Sequence, residues 1–247
     1  MLKIITLITK FILVALTALL FASCNHSINL NSIEGSGNVT TERRNVEGDF
    51  KSIEVSNAID LVIEQSDVTE IVVEADDNLQ KHIFTKVENG TLVIYCDKNS
   101  FINTKSKKVT VKMPVIEQLE ANSSASITST NTIKGENITL NTSSAGTIDL
   151  NIEADDITCD SSSGSSITIN GMGLKMKANA SSGSGIDAKN LLANEVNAEA
   201  SSGATINIHP IVSLDAEASS GGSISYNKVP KSIRKETNSG GSVHQEQ

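Results

Sequence analysis

The 247-residue chain carries 20 Lys and Arg against 29 Asp and Glu, a net charge of −9, with no Trp and only 3% aromatic residues. This acidity argues against a nucleic-acid-binding surface and against electrostatic docking on anionic lipid. So few bulky apolar side chains also make a wide globular core hard to build, whereas a thin, repetitive one needs no more than Ile, Leu, Val and Ala.

The first elements are read as processing signals. Lys3 and Lys10 flank the start of an apolar run, Phe11 to Phe21, broken only by Thr17, and Ala22-Ser23-Cys24 follows. A short apolar stretch with small residues behind it predicts a cleavable export signal over residues 1–23, because a spanning helix needs about 20 apolar residues. Leu20-Phe21-Ala22-Ser23-Cys24 resembles a bacterial lipobox, with Phe21 where Leu is usual. That resemblance implies that Cys24 becomes a lipidated first residue, so the membrane is an expected partner through Cys24. Without Lys3 and Lys10 the balance is 18 basic against 29 acidic residues, a net charge near −11. Residues 24–36 are expected to be the lipidated Cys and a flexible Asn- and Ser-rich tether.

From Gly37 the pattern becomes strand-like. Phe50 to Val55, Ile59 to Glu64, Ile71 to Ala75, Thr91 to Tyr95 and Val109 to Met113 are rich in β-branched residues and alternate with a period near two. Between them, Asp77 to Phe84 predicts a short helical turn with Leu79, Ile83 and Phe84 facing inward. Lys105, Lys107 and Lys108 read as charges that block pairing at an edge or turn.

A Ser-Ser-Gly signal then returns seven times. It reads Ser123-Ser124-Ala125, Ser143-Ser144-Ala145, Ser162-Ser163-Gly164, Ser181-Ser182-Gly183, Ser201-Ser202-Gly203, Ser219-Ser220-Gly221 and Asn238-Ser239-Gly240, in steps of 20, 19, 19, 20, 18 and 19 residues. A fixed period of this size predicts stacked coils, none stable alone. Ser124, Ser144, Gly164, Gly183, Gly203, Gly221 and Gly240 are the expected structural turn residues, with Gly supplying a positive φ. Ala125 and Ala145, standing in place of Gly, predict corners of different backbone conformation. After each turn comes a strand such as Ser166-Ile167-Thr168-Ile169, then a polar corner, then a returning strand. In the returning strand Leu174, Met176, Ala178 and Ala180 are expected to share the inner face, opposite Lys175, Lys177 and Asn179. The fold class is therefore all-β, a β-helix-like solenoid of short parallel coils of about 19–20 residues, occupying residues 37–242 as one domain with a tail at 243–247.

Little in the sequence points to catalysis. His26, His82, His209 and His244 are scattered without metal-ligand spacing. No Gly-x-Ser-x-Gly elbow accompanies the many serines. Asp76-Asp77 and Asp155-Asp156 read as solvated corner acids rather than a glycosidase pair, and Gly171-Met172-Gly173-Leu174-Lys175 as a coil corner rather than a phosphate loop. Cys96 and Cys159, in separate strands, read as buried free thiols rather than a disulfide. No cofactor, metal or catalytic residue is expected.

Phe50-Lys51-Ser52-Ile53-Glu54-Val55-Ser56-Asn57-Ala58-Ile59-Asp60-Leu61, Val73-Glu74-Ala75-Asp76-Asp77-Asn78-Leu79, Asn89-Gly90-Thr91-Leu92 and the serial turns together resemble the "putative auto-transporter adhesin, head GIN domain" family over about Gly37 to Ser242. The resemblance implies an all-β, β-helix-like fold, an envelope location and no assigned catalytic residues; with the lipobox, the expected localisation is lipid anchoring to an outer membrane on either its periplasmic or its surface side. The expected function is a non-enzymatic envelope lipoprotein, an adhesin or structural solenoid with a glycan or protein ligand. The alternatives are a carbohydrate-active enzyme on a β-helix, and a periplasmic scaffold or surface-ordering solenoid. The last would need Thr139, Thr147, Thr158, Thr168 and Thr205 at one coil position, which their spacing does not give.

Overall fold

The computed structural model describes residue 10 and residues 32–98 and 100–246. The expected export signal apart from residue 10, together with Cys24 and the expected tether as far as residue 31, lies outside the described residues. Residues from Ser32 onward form one compact unit, nearly all β, built as a parallel β-solenoid of about seven turns. Its first part contains β1 (Ser32–Glu34), β2 (Val39–Arg44), β3 (Ser52–Val55), β4 (Asp60–Gln65), β5 (Glu70–Asp76), β6 (Ile83–Glu88), β7 (Thr91–Cys96), β8 (Ser100–Ile102) and β9 (Lys107–Met113). The regular stack contains β10 (Gln118–Ala121), β11 (Ser126–Ser129), β12 (Ile133–Thr142), β13 (Thr147–Ser161), β14 (Ser166–Ala180), β15 (Gly185–Ala200), β16 (Thr205–Ala218), β17 (Ser223–Tyr226), β18 (Ser232–Thr237) and β19 (Ser242–Gln245).

Alternation decides what faces in. One inner row, in register from coil to coil, runs Leu61, Ile127, Ile148, Ile167, Ile186, Ile206, Ile224 and Val243. A second runs Ile53, Leu119, Leu140, Cys159, Ala178, Ala198 and Ala216. Except for Val243, which is only partly buried, all of these are in the core. Each buried Ile or Leu contributes roughly 1.5–3 kcal/mol, but only because the coils above and below complete its surroundings. Coils of unequal length stay in register because the surplus is absorbed in irregularities near residues 168–170 and 188–195, away from the turns.

Each coil bends at a four-residue turn that closes a backbone hydrogen bond from its fourth N–H to its first carbonyl. These turns are Asn122–Ala125, Ser143–Gly146, Ser162–Ser165, Ser181–Ser184, Ser201–Ala204, Ser219–Gly222 and Asn238–Gly241, with bonds of 2.8–3.3 Å. Both central residues have positive φ, the signature of a type I′ turn. This corrects the expectation of different corners at the two alanines. Ala125 is the fourth residue of its turn, and Ser124 (φ 62°) and Ala145 (φ 62°) take the conformation that Gly164 takes at φ 69°. A Cβ at Gly164 would meet nothing within 4 Å, so the strain is in the backbone alone and neighbouring coils hold it. Seven turns are visible in the sequence and the structure adds an eighth: Asn57 (φ 59°) and Ala58 (φ 54°), with Ala58 N–H donating to Ser123 O at 2.9 Å. The same bond links every successive pair of turns at 2.9–3.2 Å, as in Gly164 N to Ser182 O.

The first part departs from the repeat. β2 runs antiparallel to β5, β5 to β9, and β6 to β7, while β7 and β9 lead parallel into β3 and β4. The expected helical turn is a 3-10 helix at Gln80–His82. Leu79 and Ile83 are buried as expected, but Phe84 is 40% exposed, because β6 begins at Ile83 and strand alternation turns its neighbour outward. Ser32–Glu34, expected in the tether, pairs parallel with Ser100–Ile102. β9 is paired on both sides, so its lysines do not guard an edge. Lys108 reaches Glu74 at 3.0 Å, and the hydrogen bond from Lys108 holds the Glu74 carboxyl below its ordinary range. Leu174 also departs from expectation. It is 52% exposed because Gly173 takes the inner position at the bend, where a Cβ would meet Ile157 Cδ1 at 3.0 Å.

Asp76 was expected in solvent and is fully buried. Its carboxylate accepts N–H bonds from Gly37 (2.9 Å), Lys105 (3.0 Å) and Ser106 (3.1 Å), tying the entering chain to the loop before β9. Burial pushes the carboxyl up, but the three N–H groups and the Lys105 charge outweigh it and hold the pKa below the ordinary value. Asp77 beside it is exposed and binds Ser36 Oγ and Asn38 Nδ2.

Candidate binding face

The turns position two outward columns on one side of the stack. The last outward residue of each returning strand forms the first column: Glu54, Glu120, Asn141, Asp160, Asn179, Glu199, Glu217 and Glu236, all in register. The first residue of each turn forms the second: Ser56, Asn122, Ser143, Ser162, Ser181, Ser201, Ser219 and Asn238. Between Glu120 and Ser219 the columns line a groove of about 500 Å³ across six strands. Side chains brace it: Ser143 Oγ donates to Asn122 Oδ1 (2.6 Å) and Asn179 Nδ2 to Asp160 Oδ1 (2.6 Å) across coils, and Asn122 Nδ2 donates to Glu120 Oε1 (2.7 Å) within one. Behind the groove, Thr142, Ser161 and Ser165 hydroxyls meet mutually at 2.9 Å, so these buried polar groups are satisfied within the core.

The groove side is acidic. On other faces some carboxylates meet cations, as in Glu117–Lys51 (2.8 Å), Glu153–Lys134 (2.7 Å) and Glu64–Lys112 (3.4 Å), and others, such as Asp149 and Glu195, meet none among the described residues. Among the described residues, Glu120, Asp160, Glu199 and Glu217 make no ion pair, and no Lys or Arg lines the groove. Glu199 and Glu217 are direct neighbours in register, an arrangement that like-charge repulsion disfavours.

At its first end the second column meets the aromatic residues. Ser56 N–H donates to Ile94 O at 3.0 Å, which places Ser56 beside Tyr95 on β7, and Tyr95 pairs in register with Phe84 on β6. The two rings stack with centroids 5.2 Å apart and planes 16° from parallel, and Lys86 Nζ lies 4.9 Å from the Tyr95 centroid. Sequence reasoning missed this pair because it turned Phe84 inward.

Of the expected turn residues, Ser124, Gly164, Gly183, Gly203, Gly221 and Gly240 occupy the third turn position and Ser144 the second. They shape the rim of the columns rather than line the groove. His82 pairs with Asp97 at 2.8 Å, and no group of three His, Cys, Asp or Glu among the described residues is placed to hold a metal. Cys96 and Cys159 are buried free thiols, and burial pushes the Cys159 thiol up, away from reactivity. Thr139 and Thr158 share one row, Thr147 and Thr205 another, and Thr168 a third, so no single threonine face forms. Among the described residues no helix is long and apolar enough to cross a membrane.

The profile of the family described as "putative auto-transporter adhesin, head GIN domain" matches residues 49–230. The fold is similar to that of a "putative adhesin" from Bacteroides fragilis (TM-score 0.80, 21% identity, 87% of this chain and 100% of that one). It is also similar to a "putative lipid binding protein" from Parabacteroides distasonis (0.72, 22%, 87% and 100%) and a "putative adhesin" from Parabacteroides merdae (0.70, 17%, 87% and 99%). None of these descriptions names an enzyme. No curated protein matches the chain.

Proposed function

The chain belongs to the head GIN domain family of "putative auto-transporter adhesins", and from that membership we propose that it is a non-enzymatic binding protein of the cell envelope, held to a membrane by lipid on Cys24. The observation that carries the binding reading is the groove face: two ordered polar columns over successive coils, with carboxylates that form no ion pair among the described residues. An extended face of this kind suits a long ligand. Catalysis would need groups with separated protonation states converging on one reacting atom. The lipobox-like residues before Cys24 support the anchor.

Two measurements test this reading. Cells making the wild-type chain should incorporate a palmitate analogue and hold the protein in the membrane fraction, whereas Cys24→Ala should lose both. A Cys24→Ala protein that stays in the membrane fraction overturns the anchor. The purified protein should be retained by isolated cell envelopes or extracellular matrix polymers, and a Glu199→Lys, Glu217→Lys variant should lose that retention. Equal retention of both forms overturns the binding face.

A further inference from the structure

We propose that the groove face takes an unbranched polysaccharide without acidic groups, lying along the solenoid axis with one sugar stacked on the Phe84–Tyr95 platform. This rests on the binding reading above and gives it a ligand class.

Three observations converge. The first is continuity. Strands β7, β3, β10, β12, β13, β14, β15 and β16 are hydrogen-bonded in that order, so Tyr95, Ser56 and the turn serines form one line on one side of the sheet. Seven strand spacings make the line about 34 Å long, long enough for an oligosaccharide rather than a single sugar. The second is the aromatic pair. In a chain with no Trp, two Tyr and five Phe, the one stacked aromatic pair among the described residues stands at the end of the polar columns. The C–H face of a pyranose ring is apolar and covers an aromatic ring as another flat apolar group would. Phe84 and Lys86 both come from β6, and on its other side β7 pairs with β3, which leads to Ser56 and the columns.

The third is the chemistry of the columns. Asn, Asp, Glu and Ser offer acceptors and donors at every coil, matched to sugar hydroxyls, and a carboxylate accepting a hydroxyl makes a short, strong bond. Four unpaired carboxylates with no cation repel a uronate or sulfated chain and favour a neutral or amine-bearing one. A peptide fits less well. Extended peptides bind sheets by pairing with a free backbone edge, and the strands from β3 to β16 under this face are already paired on both sides.

The test is affinity electrophoresis of the full chain in detergent through gels containing hydroxyethylcellulose, laminarin, glycol chitosan or polygalacturonate. Retardation is expected in at least one of the first three and not in polygalacturonate. Glycol chitosan separates recognition of amines, which salt weakens, from recognition of hydroxyls. Phe84→Ala and Tyr95→Ala should each weaken retardation at least tenfold, and Glu199→Gln with Glu217→Gln at least fivefold. Met172→Ser with Leu174→Ser, on a distant corner, should leave it unchanged. Phe84 is exposed, so its variant reports binding even where Tyr95→Ala perturbs folding. No retardation in any gel, retardation by polygalacturonate alone, or full binding by Phe84→Ala overturns the proposal. If isolated envelopes still retain the protein in that case, the binding reading survives and the sugar assignment falls; if they do not, both fall.

Discussion

The first part of the molecule, residues 32–113, and the regular stack from Gln118 onward reach the same all-β end by different means. The first part mixes parallel and antiparallel pairing and depends on single buried polar groups. Asp76 gathers three N–H donors, and Gln80 bonds Arg44, Thr40 and Val73 O. The stack depends on repetition: the same turn, the same inner rows and the same cross-coil bond, each copy supported by its neighbours. A unique contact has no understudy, whereas a repeated one is a small share of a sum.

The sharpest way to break this comparison is Asp76→Ala. It leaves three N–H groups without their acceptor in a buried site and is expected to destabilise by about 3 kcal/mol, read by urea denaturation. The same carboxylate sets a pH dependence. Its folded pKa lies below the unfolded one, so its contribution is complete above the usual carboxylate range and is lost as pH falls through the folded value. Asp76→Asn should flatten that part of the acid-unfolding curve.

A substitution in the stack comes next. A Cβ at Gly222 would run into the carbonyl of Ala200, so Gly222→Ala must move backbone and is expected to cost about 2 kcal/mol. Smaller, and opposite in sign, is Ala145→Gly. It removes the left-handed strain of an alanine and should stabilise by about 1 kcal/mol, while Gly164→Ala should cost about as much. A loss of more than about 2 kcal/mol in Gly164→Ala would show that the ladder of turns is not interchangeable. The smallest effect is Lys134→Ala, which removes an exposed ion pair to Glu153 and should change stability by no more than about 0.5 kcal/mol. Thiol labelling sharpens the contrast without a change in ΔG: in Asp76→Asn under mild urea, Cys96 in the first part should react before Cys159 in the stack.

The stack was legible in the sequence because its determinants are local. Alternation fixes the inner rows, and Ser followed by Gly marks a left-handed pair of residues. The eighth turn escaped because Asn57-Ala58 adopts that conformation with neither Ser nor Gly, held by Ser123 of the next coil. The first turn was read one residue late for the same reason, since Ser124 rather than Ala125 stands in the glycine position. In the first part the determinants are long-range. Nothing near Asp76 in the sequence reports that Gly37 and Ser106 will surround it, and Phe84 faces outward only because of where β6 begins against β7. The binding face was hidden for a related reason: its columns exist only in the register between coils.

The layer formed by β18 breaks one of the inner rows. In the inner row occupied by Ala178, Ala198 and Ala216, the next residue in register is Lys235. Its ammonium reaches Tyr226 Oη at 2.7 Å and lies 4.6 Å from that ring's centroid. A parallel coil is a template on which a further strand of any similar chain can condense, and an indefinite fibre is the natural outcome of an unguarded end. A lysine set where an alanine belongs makes the next layer bury a charge. It makes the outer edge of β18 a poor template for a further copy of the pattern.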